Sequence, residues 1–181
     1  AINDLSQLGE QPMKQDKNYL ICNGEIFNYQ QLRANNNFSY QSESDCEIIL
    51  HMYKKYGIEK TVSSLDAEFS FVLYDEEQDI TYVARDPFGV RPLFLGTDIK
   101  GNIYFSSEIK GISKLCTRIE RFSPGCIWNS KDKSYSRYYE YDYPIENYLI
   151  EYTEEQICDN IRHLLTQAVE KRLMSERPIG C

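Results

Sequence analysis

Histidine is scarce: there are two, His51 and His163, in 181 residues, and none of the six cysteines forms a C-x-x-C pair. These shortages exclude the usual tetrahedral zinc spacings, and no metal site is expected. Basic residues are outnumbered, 20 Lys and Arg against 28 Asp and Glu, for a net charge of -8. That balance argues against an electrostatic nucleic-acid partner; the least acidic stretch, "EKRLMSERP", is short and mixed. No apolar run approaches the about 20 residues a membrane-spanning helix needs. No secretory signal is present, so the scattered thiols point to a reducing, cytoplasmic setting rather than a disulfide framework. Repeats and low-complexity segments are absent. An initiator methionine is missing as well: the chain begins "AINDLSQLGEQP" and stops at Cys181. Both ends read as cut from something longer.

What is present is ordinary for a globular chain, with 41% hydrophobic and 27% charged residues. The length allows one good-sized domain and part of a second. The 15 tyrosines suit sheet surfaces and half-buried cores. "NYLICNG" reads as a short buried strand running into a turn, and "NYQQLRANN" as a short surface helix. In "SESDCEIILHMYKKYG", Ser44 and Glu47 have capping-box spacing, with Ser44 as the expected N-cap. Ile48, Ile49, Met52, Tyr53 and Tyr56 follow at helical intervals, and Gly57 closes the helix.

The period then changes to that of strands. Phe69 to Tyr74 and Ile80 to Ala84 flank an acidic turn. "RPLFLGTDIKGNIYFSSE" repeats the pattern around Asp98 to Asn102, and "GCIWNSKDKSYSRYYEY" repeats it around Lys131 to Lys133. Three hairpins predict antiparallel sheets in an α+β fold. Residues Asp142 to Tyr152 have no clear period and read as a linker. Thr153 and Gln156 form a second capping box. Beyond it Ile157, Ile161, Leu164, Leu165, Ala168, Val169 and Leu173 make one apolar stripe, on a helix expected to open a second domain.

Asn23-Gly24-Glu25, expected at the strand end, admits two readings. One is a tight turn, for which Asn-Gly is a common signal. In the other, the Asn23 amide and the Gly24 N–H converge on one oxygen, as the tetrahedral intermediate of acyl transfer requires. Asp45, placed after the expected N-cap, is either a routine first-turn acid or an ionised receptor for an α-ammonium group. "ARDPFGVRPLF" reads as a rigid structural turn in which Arg85 and Asp86 pair. Ser106, Ser107 and Glu108 read as the cap of a short helix. Cys22, on a strand beside Ile21, reads as a buried small hydrophobe and His51 as a satisfied histidine.

"NGEIFNYQQLR", "SDCEIILHMYKKYG", "FSFVLYDEEQDITYVARDPFGVRPLF", "YFSSEIKGI" and "FSPG" occur in one order at ordinary spacing. Together they resemble the glutaminase domain of class II glutamine amidotransferases. The closing "AVEKRLMSERPIGC" resembles the same region of glutamine-hydrolysing asparagine synthetases. The resemblance implies an α-β-β-α sandwich of two antiparallel sheets, of the N-terminal-nucleophile hydrolase type and lacking its N-terminal strands here. It implies a glutaminase domain over residues 1–141, a linker over 142–152, and the start of an ATP-dependent synthetase domain over 153–181.

In that family an N-terminal cysteine attacks the glutamine side-chain amide, with its own amine as base. The released ammonia then amidates aspartate, activated by ATP with Mg2+. The resemblance makes Asn23 and Gly24 the oxyanion-hole pair. It places Ala1, Ile2, Asn3, Asn23, Gly24, Glu25 and Asp45 around bound glutamine. Glutamine, aspartate and ATP are the implied substrates of the parent enzyme, with no nucleic acid and no membrane; a homodimer stays open.

The sequence departs from the pattern too. The nucleophile and a glutamine-binding arginine are expected ahead of Ala1, and the ATP loop after Cys181, so this chain alone is expected to be inert. Ala67 stands where a glycine is usual, and Asn3 where an apolar residue is. Two other readings stay open: a domain supplying another acceptor or a β-lactam-forming relative, and a non-catalytic scaffold of the same fold. "EKRLMSERPIGC" favours asparagine synthesis over the first. Retention of Asn23, Gly24 and Asp45 argues against a lost glutaminase, and the cut ends against a scaffold.

Overall fold

A computed structural model describes residues 3–141 and 152–180. Nine strands follow in chain order among these residues: β1 (Met13–Gln15), β2 (Asn18–Ile26), β3 (Ala67–Asp75), β4 (Ile80–Arg85), β5 (Phe94–Thr97), β6 (Ile103–Ser106), β7 (Arg118–Arg121), β8 (Cys126–Asn129) and β9 (Ser134–Arg137). The helices are α1 (Tyr29–Asn36), α2 (Glu47–Tyr56), α3 (Ile58–Ser64), α4 (Ile109–Ile112) and α5 (Glu154–Glu170). The strands form a six-stranded sheet, β1-β2-β3-β4-β8-β9, and a three-stranded sheet, β6-β5-β7. Every pairing in both is antiparallel.

All three expected hairpins are present, as β3–β4, β5–β6 and β8–β9. The first and third join through β4–β8, while the second belongs to the other sheet. The short strands β1 and β7 and the helix α3 carry too little pattern to stand out in the sequence.

Two cores hold the layers together. Helix α2 lays Ile48, Ile49 and Met52 against Leu20 and Ile26 of β2 and Phe69, Phe71 and Leu73 of β3. Between the sheets, Val83, Leu93, Phe122, Cys126 and Trp128 pack with Val72, Ile103 and Phe105. Each fully buried large apolar side chain contributes about 1.5–3 kcal/mol, so these two seams fix which face of each strand looks where.

Several local expectations are corrected. Asn23, Gly24 and Glu25 do not end the strand: β2 continues through Ile26, because nine consecutive β2 residues find partners on β3. Helix α2 starts at Glu47 with Cys46 as N-cap and no side-chain cap. The Glu47 carboxylate bonds instead the N–H groups of Gln41 and Ser42 and the Ser42 hydroxyl. Arg85 and Asp86 do not hydrogen-bond each other. Arg85 donates to the carbonyls of Gly89, Arg91 and Phe122, and fully buried Asp86 accepts from the N–H groups of Phe88, Val90 and Arg91. Both thus shape the turn, as its rigidity suggested. Glu108 is the N-cap of α4, with the Ser106 hydroxyl bonded to its backbone. Ile21 is exposed and Cys22 only half-buried. His51 is satisfied, held between Glu47 and Gln15 and stacked on Phe38 and Tyr40.

The capping box of Thr153 and Gln156 forms at the start of α5. Its apolar stripe is present and exposed, with Ile161, Leu164 and Leu165 at 59–64%. The segment after α5 returns to the sheet-bearing part of the chain: Lys171 pairs with Asp66, and the Arg172 guanidinium lies over the Phe27 ring at 4.8 Å. The linker assigned to residues 142–152 lies, but for Tyr152, outside the described residues.

Candidate functional site

The candidate site is an open cavity of about 590 Å³ beside β2. Asn3, Asn23, Gly24, Glu25 and Asp45 all line it. Five of the seven residues predicted from sequence are therefore brought together. Ala1 and Ile2 lie outside the described residues.

The cavity exists because β2 is unpaired along part of one edge. Backbone N–H and C=O groups of successive strand residues point alternately to the two sides. Even-numbered residues of β2 face β1, whose pairing ends at Met13 opposite Leu20. Three side chains cover the edge beyond. The Gln11 amide bonds both the N–H and the C=O of Cys22, at 2.7 and 2.9 Å. The Cys46 thiol donates to the Gly24 carbonyl at 3.8 Å. Asp45 Oδ2 accepts from the Ile26 N–H at 2.7 Å. Between Cys22 and Ile26, alternation leaves the Gly24 N–H pointing into the cavity without an acceptor among the described residues. The Asn23 side chain is likewise exposed and unpaired among them.

Gly24 is required here by crowding rather than by its φ angle. A Cβ would stand 2.5 Å from the Glu68 carbonyl oxygen and 2.8 Å from Phe69 Cα.

Asp45 is only 4% exposed and sits just ahead of α2. Burial pushes its carboxyl above the ordinary aspartate value, against the opposing pull of the Ile26 N–H and the Asn3 side chain. Desolvation thus outweighs the local donors, and the carboxyl gives up its proton less readily than that of an exposed aspartate. Asn3 influences Asp45 by proximity, yet its amide nitrogen is buried with no acceptor in hydrogen-bond geometry.

Glu25 points to Arg91, whose Nη2 also bonds Glu68, at 3.0 and 2.8 Å. Burial raises the Glu25 pKa; Arg91 opposes this, while Glu68 and Asp45 add to it. Residues that sequence reasoning passed over also line the cavity: Asp4, Gln11, Arg91 and Arg177. Arg91 had a signal, since it lies inside the turn motif held by Asp86; the others had none. Among the described residues no group of three or more His, Cys, Asp or Glu side chains is arranged to hold a metal ion. No helix among them is long and apolar enough to cross a membrane.

A family model described as a glutamine amidotransferase domain matches residues 1–139. A probable glutamine-hydrolyzing asparagine synthetase of Acanthamoeba polyphaga mimivirus is 40% identical, over 99% of this chain and 36% of that protein. The root glutamine-hydrolyzing asparagine synthetase of Pisum sativum is 37% identical over 95% of this chain and 29% of that protein. The chain thus spans about a third of the curated relatives it matches. Among solved structures, a glutamine phosphoribosylpyrophosphate amidotransferase from B. subtilis aligns over 74% of this chain and 33% of that one, with TM-score 0.63 and 24% identity. The structure of an allosteric regulatory enzyme of purine biosynthesis aligns over 71% and 31%, with TM-score 0.61 and 26% identity. The fold is therefore the α+β sandwich of N-terminal-nucleophile hydrolase amidotransferases.

Proposed function

The chain belongs to the glutamine amidotransferase domain family, and on that premise we propose that its cavity binds glutamine for hydrolysis within a glutamine-hydrolysing asparagine synthetase. The observation that carries this reading is the convergence of Asn23, Gly24 and Asp45 on one cavity. The free Gly24 N–H and the Asn23 amide donate to the oxygen that becomes negative when the glutamine amide is attacked. Rigid donors at that point stabilise the tetrahedral intermediate. Asp45 accepts the α-ammonium at the other end, with Glu25 and Asn3 completing the pocket. Gripping the substrate at both ends orients its amide for attack.

The nucleophilic cysteine is assigned to the segment expected ahead of Ala1, so these 181 residues alone are proposed to be inactive. Aspartate as acceptor of the ammonia is supported by similarity that extends past the family match at residue 139 to 99% of the chain. By this reading residues 153–181 open the synthetase domain, and ATP and Mg2+ bind outside this chain. By the same reading the intact protein works in the cytoplasm.

The test is Asp45→Ala in the intact protein. Glutamine-driven asparagine formation should fall by 10-fold or more, since an ion pair to the ammonium is lost, while ammonia-driven formation survives. Equal loss of both activities overturns the assignment.

A further inference from the structure

Gln11 belongs to no catalytic set, yet it does for β2 what a neighbouring strand would do. The β1 ladder ends with Met13 opposite Leu20, one hydrogen-bonding position short of Cys22. There the Gln11 side chain takes over: its Oε1 accepts from the Cys22 N–H at 2.7 Å and its Nε2 donates to the Cys22 carbonyl at 2.9 Å. A primary amide presents one donor and one acceptor side by side, which matches the N–H and C=O of a strand residue. A backbone strand continuing at this place would cover the Gly24 edge as well. A side chain stops after one residue and leaves it open.

We propose that Gln11 is a positioning residue for the oxyanion hole: by clamping Cys22 it fixes the register and direction of the Asn23 amide and the Gly24 N–H. The Asp45 bond to Ile26 fixes the strand on the far side of Gly24 at 2.7 Å. The free N–H therefore sits in a span of β2 held on this edge at both ends. Loss of the Gln11 clamp lets the Cys22–Gly24 backbone move, and a displacement of about 1 Å at a reacting group can cost about 100-fold in rate. The ammonium end of the cavity, built on Asp45, is untouched.

This inference rests on the glutaminase reading above. The experiment uses the intact protein with Gln11→Met, which removes both bonds at similar size, and Gln11→Glu, which keeps the acceptor for Cys22 N–H. The expected result is a fall in kcat for glutamine hydrolysis of about 10- to 100-fold for Gln11→Met. KM for glutamine should stay within about 2-fold, because the binding end is unchanged. Gln11→Glu should lie between Gln11→Met and wild type. Ammonia-driven synthesis should be unchanged, and amide exchange of the peptide carrying Cys22 to Gly24 should quicken. A merely structural role would lower both activities in step with folded protein, or raise KM; either result, or an unchanged kcat, overturns the proposal. A wild-type intact protein that makes asparagine from ammonia but releases no glutamate from glutamine overturns the functional reading, and this inference with it.

Discussion

Gly24 shows how much one absent methyl group decides. Its N–H is the donor left free along the edge of β2, and its Cα lies against β3 with no room for a side chain. Gly24→Ala should destabilise the fold by about 1–3 kcal/mol, because overpacking forces backbone shifts; denaturant unfolding of this chain measures it. Asp45 gives a pH signature at the same scale. Burial raises its carboxyl pKa, so it takes up a proton at a higher pH than an ordinary aspartate, whose value is about 4. Only the ionised form attracts an ammonium group. KM for glutamine in the intact protein should therefore rise as pH falls, beginning above that ordinary range. Asp45→Asn should raise KM throughout and flatten its dependence on pH.

At the scale of elements, the contrast is between helices α2 and α5. Both are amphipathic, but the apolar face of α2 is buried on the sheet while that of α5 is exposed. Leu165→Lys should change the stability of this chain by less than about 0.5 kcal/mol, as surface substitutions do. Ile49→Ala should cost about 2–5 kcal/mol, since it opens a cavity in a packed core. Thr153→Ala removes half of a capping box and should cost α5 about 1 kcal/mol, visible as lost helical circular dichroism on mild heating.

For the molecule as a whole, acid should be the sensitive direction. Burial raises Glu47, but His51, Ser42 and the N–H groups of Gln41 and Ser42 outweigh it and hold its pKa below the usual value. Asp75 is held down in the same way, against burial, by the Gln78 and Glu77 N–H groups, the Tyr53 hydroxyl and the Gln78 amide. Asp4 is lowered chiefly by the Ser6 hydroxyl, with burial opposing. A carboxylate with a lowered folded pKa adds stability that is present above its unfolded value and is lost as pH falls through the folded one. Unfolding free energy should thus hold near neutrality and decline below about pH 4, the unfolded range. Asp45 works against this trend, because its raised pKa favours the folded state as protons bind. Denaturant titrations at several pH values check the sum, and stability that rises on going from pH 5 to pH 3 would contradict it.

The sequence alone determined the hairpins, the helix faces and the capping box of α5, because these follow from period and from neighbours a few residues apart. It also marked Asn23, Gly24, Glu25 and Asp45, through the order and spacing of short motifs. It did not determine which sheet each hairpin joins, since identical alternation serves either sheet and only the packing of Val83, Phe122 and Trp128 between them decides. Nor did it show that Asp45 caps the backbone of Ile26, or that Gln11 completes a strand, as each contact joins residues separated by a turn or more of chain. Those bonds form only after the strands have paired. The tertiary structure therefore decided which N–H of β2 remains free, and with it where the proposed oxyanion donor stands.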